Sequence, residues 1–527
     1  MKIEKTNVYM SRISARALLQ ITLDEDKNIP EGRPDMGRLI TQRAVVELDP
    51  AECREGKADI RGRLSYRLLY AAADDGSVHG MTGEVAFREP ARLAGAGERD
   101  MIYVEPALED LTIEMVHARK IRVQALLTFH VTAEGIRREE FAVQVQSEEP
   151  LEQMSGAIAV TSLAAQKKEM LRVRESLMPG AGKPAIEQIL WDEISARGIT
   201  VRPADGRLEV SGELNVFLLY YPEGDGLPLQ WQEFSSPFTE TIEIAESREG
   251  LLAVCDARII HTVLALREPE TETDGTMEGR FPDVEAVLEL YVRLYEEQSL
   301  TILRDLYSPV QNVVLEEEEI ALENIRMLNQ AKCKVSEKIK LPENERIFQI
   351  CHADARIVSY EAVALEAGLR VDGVLAVTML YASADDSTPL KAARGTLPFT
   401  YMAEAGEGIG ASGYRIAAGI EALNIVMLSA EEAEVRAVVR LDILIPEVRR
   451  LSVIRDAEAA PYDEGKLREM PGLIGYVVQR DDTLWKIAKR FYTTVESIRM
   501  TNPELGEEPQ AGERLVLVKQ AEELSGL

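Results

Sequence analysis

A chain of 527 residues with 46% apolar content is long enough for roughly three to five domains with real cores. Its formal charge of −30, from 90 acidic and 60 basic residues, excludes a surface that holds nucleic acid or anionic lipid headgroups by charge. Charges interrupt Met1 to Asp26 throughout, and no window reaches the ~18 uninterrupted apolar residues of a membrane span, so neither a secretory signal nor a transmembrane segment is expected and the chain should act in the cytoplasm.

Taken in chain order, the pattern Gly-x-Leu-x-x-x-x-Leu-Tyr occurs three times. It runs Gly62, Leu64, Leu69, Tyr70, then Gly212, Leu214, Leu219, Tyr220, then Gly373, Leu375, Leu380, Tyr381. The copies start 150 and 161 residues apart, the spacing of domains rather than of solenoid repeats. A second block keeps the same register. Gly32-Arg33-Pro34 precedes Met36, Leu39 and Ile40; Gly182-Lys183-Pro184 precedes Ile186, Ile189 and Leu190; each proline lies 28 residues before its glycine. Counting 28 back from Gly373 reaches Glu345, where Gly-basic-Pro is lost but Ile347 and Ile350 hold the Ile186 and Ile189 places. Most of the chain is one domain used three times.

Each glycine lies inside an alternating run. Ala58, Ile60, Gly62, Leu64, Tyr66 and Leu68 share one face, as do Leu208 to Leu218 and Leu369 to Met379 in their copies. Period two over a dozen residues predicts a long, half-buried strand, and a mid-strand glycine predicts a bulge, a bend or close backbone packing. Turns are expected at Asp74-Asp75-Gly76, Glu223-Gly224-Asp225-Gly226 and Asp385-Asp386. Further strands are expected at Ile121–His130, Phe141–Gln146, Phe238–Ile244, Val284–Tyr295, Gly395–Tyr401, Tyr414–Ser429 and Glu434–Ile445. Helical periodicity is confined to Glu317–Leu328 and Ile158–Leu171, where repeats join. The expected fold is mainly β: three tandem antiparallel β-sandwich-like domains over 10–148, 165–308 and 328–455, a linker over 456–472, and a small α+β module over 473–519.

That module reads strand, helix, helix, strand. Tyr476-Val477-Val478-Gln479 is a strand, and Asp481-Asp482 offers an N-cap. Leu484, Ile487, Ala488 and Phe491 form one helical stripe, and Thr493 and Glu496 are spaced as a capping box for a second helix. Asn502-Pro503 ends that helix, and Leu515 to Val518 is the closing strand. Trp485 lies off the buried stripe, as half-packed support or as a contact residue. Lys486, Lys489 and Arg490 line the exposed side. The module carries seven basic and seven acidic residues, so the repeats carry the negative charge.

No catalytic, cofactor or metal site is expected. Gly180-Ala181-Gly182-Lys183 echoes a phosphate-binding loop, but Leu177 stands where an earlier glycine is needed and Pro184 where a magnesium-binding hydroxyl is needed. Cys53, Cys255, Cys333 and Cys351 show no paired spacing, and Cys351-His352 reads as a structural cysteine. Glu316 to Glu319 reads as a solvated face or linker. The five histidines do not coincide between copies, and no Ser/His/Asp or Cys/His arrangement is visible.

The Arg/Lys-Pro-x-Ile block followed by Gly-x-Leu-x-x-x-x-Leu-Tyr resembles the SPOCS domain, a β-rich domain found in tandem in sporulating Firmicutes and associated with the spore coat. Tyr-Val-Val-Gln-x-Asp-Asp-Thr-Leu-Trp-Lys-Ile-Ala with Asn-Pro and Gly-x-x-Leu resembles the LysM domain, which commonly binds N-acetylglucosamine polymers such as peptidoglycan. The LysM resemblance implies a groove between Asp482, Thr483 and Leu484 on one side and Asn502, Pro503, Glu504 and Leu505 on the other, with Asp481 where the family usually has glycine. Together the two resemble the SipL-like family of spore coat morphogenetic proteins. That implies a non-enzymatic mother-cell adaptor at the forespore surface, docking a SpoIVA-like coat-basement ATPase through the LysM module, with Trp485, Lys486 and Lys489 as contact residues. The alternative is a binder of cell-wall or cortex peptidoglycan. A LysM-anchored hydrolase would need an acid/base pair that the repeats do not offer.

Overall fold

The computed structural model describes residues 1–178, 183–224, 227–267, 281–342, 345–385, 388–404, 413–460 and 471–519. The chain is mainly β. The first repeat comprises β1 (Lys2–Asn28), β2 (Met36–Leu48), β3 (Cys53–Arg54), β4 (Lys57–Ala72), β5 (Val78–Arg92), β6 (Met101–His117) and β7 (Lys120–Gln146). One antiparallel sheet has the order β1-β7-β6, and the other sets β4 between β2 and β5, with β3 also paired to β4. The two sheets close on a shared core that holds Ile60, Leu64 and Leu68 from one and Val123, Leu127 and Phe129 from the other.

The second repeat uses β8 (Glu152–Ser176), β9 (Ile186–Ala204), β10 (Arg207–Pro222), β11 (Gln230–Glu243), β12 (Leu252–Arg267) and β13 (Phe281–Tyr307), in sheets β12-β13-β8 and β11-β10-β9. The third uses β14 (Asn312–Lys340), β15 (Ile347–Leu365), β16 (Gly368–Ser383), β17 (Leu390–Glu404), β18 (Arg415–Ser429) and β19 (Glu432–Ala460), in sheets β14-β19-β18 and β15-β16-β17. Each repeat is therefore the same pair of sheets, three-stranded throughout except that the short β3 adds a fourth strand to the β2-β4-β5 sheet of the first repeat. The strands start earlier than the repeats read from sequence, at Lys2, Glu152 and Asn312, and β19 runs to Ala460, inside the stretch read as linker. Gly180 to Gly182, Asp225, Gly226, Asp386 and residues 461–470 of that linker lie outside the described residues.

The helical expectation fails at both places. Ile158–Leu171 lies within β8 and Glu317–Leu328 within β14. Each strand carries a bulge, at Ala164 where the pairing skips from Leu163 to Ala165, and at Arg326 between Ile325 and Met327. A bulge slips the alternation by one residue. Buried apolar positions then run Ile158, Val160, Leu163, Ala165, and the step of three across the bulge imitates a helical period.

The mid-strand glycines make room for aromatic rings from the next strand. Gly62, Gly212 and Gly373 pair with Phe87, Phe238 and Phe399, and a Cβ would stand 2.9, 2.8 and 2.4 Å from the respective ring. The tyrosine that closes the motif is buried in each copy, and its hydroxyl finds different acceptors in the first and third repeats. Tyr70 Oη donates to the Pro34 carbonyl at 3.2 Å, while Tyr381 Oη donates to the Glu345 carboxylate at 2.6 Å. Glu345 occupies the proline's place and supplies the acceptor from its side chain.

The leucine before that tyrosine points the other way. Leu69, Leu219 and Leu380 meet one another, together with Ile40, Leu190 and Cys351, which are also matched positions of the three repeats. The repeats thus close around a quasi-threefold axis. At the far end the long strand pairs β1–β7, β8–β13 and β14–β19 run past the sandwiches as ribbons, and matched residues again meet in threes: Val8, Ile158 and Ile320; Met10, Val160 and Leu322; Phe141, Ile302 and Val453. Gly80 of β5 fits directly against the second repeat, since a Cβ there would stand 1.8 Å from the Leu190 carbonyl oxygen. Gly80→Ala is expected to part this seam and cost about 1–3 kcal/mol, read as a lower urea midpoint of the full chain.

Charged groups are buried in the same seams. Arg43, Glu193 and Asp354 occupy matched positions, nine residues after Pro34, Pro184 and Glu345. Arg43 Nη1 lies 2.5 Å from Glu193 Oε2 and Arg43 Nε 3.7 Å from Asp354 Oδ2. His352 bridges Glu193 at 3.2 Å and Glu233 at 2.7 Å and stacks on Phe217, with ring centroids 3.9 Å apart. Burial works against a charged imidazole, yet the two carboxylates raise its pKa to about 9. Burial also lifts the Asp354 carboxyl, whereas Arg43 and His352 hold Glu193 well down against its own burial. A second cluster joins all three repeats: Arg293, 1% exposed, reaches Glu134 Oε2 at 2.8 Å and Asp256 Oδ2 at 3.1 Å, and Arg415 reaches Asp256 at 2.5 Å. Cys351 is buried and all four cysteines are free thiols. Glu317, Glu318 and Glu319 face Ser452, Arg455 and Arg450 across the third ribbon.

Candidate functional site

The C-terminal module consists of β20 (Leu473–Val477), α1 (Leu484–Arg490), α2 (Val495–Thr501) and β21 (Arg514–Val518), with β20 and β21 paired antiparallel. Its core is Val478, Leu484, Ile487, Ala488, Ile498, Leu515 and Leu517. The caps differ from the sequence reading. Thr483 rather than Asp481 or Asp482 caps α1, accepting from the Lys486 N–H at 3.2 Å, and Thr494 rather than Thr493 caps α2, accepting from the Ser497 N–H at 3.0 Å. Asp482 instead holds the loop ahead of α1. Its carboxylate accepts from Tyr476 Oη at 2.5 Å and from the Gln479 N–H at 2.8 Å, and these bonds keep it below the usual carboxylate range. Thr493 is fully buried, so its side chain is turned away from the surface role of a cap.

The residues of the expected groove divide into structural and available groups. Leu484 is in the core. Asn502 is bound in both directions to β21, donating to the Val516 carbonyl and accepting from the Val516 N–H at 2.8 Å each, and it also donates to the Ile498 carbonyl that ends α2. Leu505 packs against the core. Pro503 and Glu504 are exposed, and Asp482 and Thr483 half-exposed, at one end of the module. Lys486 is exposed and folds its ammonium onto the Asp481 carbonyl at 3.0 Å. Asp481 has φ +71°, the left-handed region that favours glycine. Asp481→Gly is therefore expected to stabilise the module by about 0.5–1 kcal/mol, seen as slower hydrogen exchange in α1.

Trp485 and Lys489 face the body. The Trp485 indole N–H donates to Asp305 Oδ2 at 2.8 Å, and Lys489 Nζ lies 2.6 Å from Asp305 Oδ1. Tyr307 packs into the module's core, edge-on to Trp485 with centroids 4.9 Å apart, and its hydroxyl donates to the Thr493 carbonyl at 3.0 Å. Asp305 and Tyr307 lie at the end of β13, so the second repeat's ribbon seats the module. Sequence reasoning missed these two residues. The one signal was negative: the matched positions of the other ribbons, read from the bulges at Val143, Arg304 and Arg455, are Gln144 and Gln146 in the first repeat and Asp456 and Glu458 in the third. Only the second repeat has a tyrosine there.

Among the described residues, no helix is long and apolar enough to cross a membrane. Comparison with protein families matches residues 35–116 and 185–266 to the family described as SipL, SPOCS domain, and residues 476–517 to the LysM domain. No curated protein and no solved structure matches the chain. The third repeat is not matched, and it is the copy that replaced its Gly-basic-Pro with Glu345 while keeping the strand order. The chain is thus built as tandem SipL-type SPOCS domains followed by one LysM domain.

Proposed function

We propose that this chain is a non-enzymatic adaptor of spore coat and envelope assembly, acting in the mother-cell cytoplasm at the forespore surface. In this reading the LysM module docks a coat-basement ATPase of the SpoIVA type, and the three repeats form the body that the module positions. The observation that carries it is the pairing of SipL-type SPOCS domains with a C-terminal LysM domain. The electrostatics support it. The strongly shifted groups, such as His352, Tyr103 and Tyr291, lie in seams or cores where they join repeats. Structural ion-pair networks perturb titratable groups just as active sites do, and the placement of these groups between repeats favours the structural reading.

A second reading is favoured by the LysM match itself: binding of peptidoglycan through the end of the module that carries Asp482, Thr483, Pro503 and Glu504. Retention assays separate the two. The full chain is expected to be held by immobilised SpoIVA-like ATPase and not by insoluble peptidoglycan, and a tagged copy should surround the forespore during sporulation. Retention on peptidoglycan alone would replace the adaptor reading with the second.

A further inference from the structure

The contacts between head and body converge on two residues of one ribbon, and three features make that seat more than a packing accident. First, it is selective. The three ribbon ends are matched in fold, yet only the second offers an aspartate and a tyrosine together at the two positions that meet α1. Second, it holds the polar ends of α1 side chains, the Trp485 indole N–H and the Lys489 ammonium, from outside the module. Leu484, Ile487, Ala488, Ile498, Leu515 and Leu517 pack on one another, while Trp485 and Lys489 project from α1 and find their polar partner, Asp305, in another domain. When the head leaves, it keeps the core formed by its own residues and gives up the Tyr307 ring and its hydrogen bond to the Thr493 carbonyl. Third, the seat brings two carboxyl groups near each other. Glu152 at the start of β8 lies near Glu496 of α2, and burial together with that neighbour raises the Glu152 carboxyl.

We propose that Asp305 and Tyr307 form an autoinhibitory latch that holds the α1 face of the LysM head shut against the second repeat, so that a partner protein meets Trp485 and Lys489 only after the head has left its seat. This rests on the docking reading above and adds its regulation. Closing the binding face lowers apparent affinity by the fraction of heads that are open, and removing the latch restores it.

The test uses the full chain labelled with fluorinated tryptophan. Its three resonances are assigned with Trp485→Phe, and Trp191 and Trp231 report that the repeats remain folded. The double variant Asp305→Ala/Tyr307→Ala is expected to move the Trp485 resonance alone, and to tighten binding to the immobilised ATPase about tenfold. The matched change in the first repeat, Gln144→Ala/Gln146→Ala, should alter neither. A Trp485 resonance that stays in place in the double variant overturns the seat. A moved resonance with equal, measurable binding by both chains overturns the latch and leaves docking intact. Binding by neither chain, with the head shown to be free, overturns the docking reading and the latch with it.

Discussion

Replacing Arg293 by alanine is expected to destabilise the chain by about 3–5 kcal/mol, because it removes the cation between two buried carboxylates. Glu134 and Asp256 come from different repeats, and Arg293 touches both. Burial by itself would raise the Glu134 carboxyl, but Arg293 first, then Ser11 and Arg415, hold it below the ordinary value. Without Arg293, Glu134 keeps hydrogen bonds from Ser11 at 2.6 Å and Tyr291 at 2.9 Å, while Asp256 keeps Arg415. The remaining deficit is one uncompensated charge in a largely buried seam. The paired variant Arg293→Met/Glu134→Gln removes both members and should therefore lose less than Arg293→Ala alone. Urea unfolding of the three chains reads the difference; equal losses for the single and paired variants would show that packing, not charge, holds this seam.

Stability should also fall at alkaline pH through His352, by about 3 kcal/mol at most. The folded pKa of about 9 lies above the imidazole's unfolded value of 6.5. Its contribution is complete below about pH 6.5 and is lost as the pH rises through about 9. The groups around it are Glu193 and Glu233, which it bridges, with Asp354 and Arg43 beyond Glu193. Asp354, lifted by burial, acts in the same direction, since its ionisation opposes folding as the pH rises above its unfolded value. His352→Gln keeps a hydrogen-bonding side chain against Phe217 but cannot titrate. The wild-type chain should lose thermal stability between pH 7 and pH 10, and the variant should lose distinctly less. Parallel profiles would assign the alkaline loss to other groups.

Much of this architecture was legible because it is periodic. The offset of 28 residues between Pro34 and Gly62, repeated from Pro184 to Gly212, carried the register into the third copy even where the proline was gone. The same offset also marks Arg43, Glu193 and Asp354 as equivalent, but nothing in one sequence says that equivalent positions of three domains will touch. Leu69-Tyr70 illustrates the limit. Adjacent large apolar residues at a strand end imply that both faces are covered, the tyrosine by its own repeat and the leucine by something else. What covers the leucine follows only from the arrangement of domains. The strands β8 and β14 were misread because their bulges fall in mid-strand, where a slipped alternation and a helical stripe have the same spacing. In the head, the stripe Leu484, Ile487, Ala488 was clear, whereas Trp485 off that stripe could not disclose its partner, which lies 180 residues away at Asp305.

Three identical chains arranged as these repeats are would place three like side chains where Arg43, Glu193 and Asp354 converge, and a ring of arginines or of acids there would repel itself apart. Covalent fusion removes that restriction. It lets one copy contribute the cation and the other two the anions, and it lets a single ribbon end accept the head. The tandem chain can thus be read as a trimer whose subunits have become distinct, with a stoichiometry that no dilution can change.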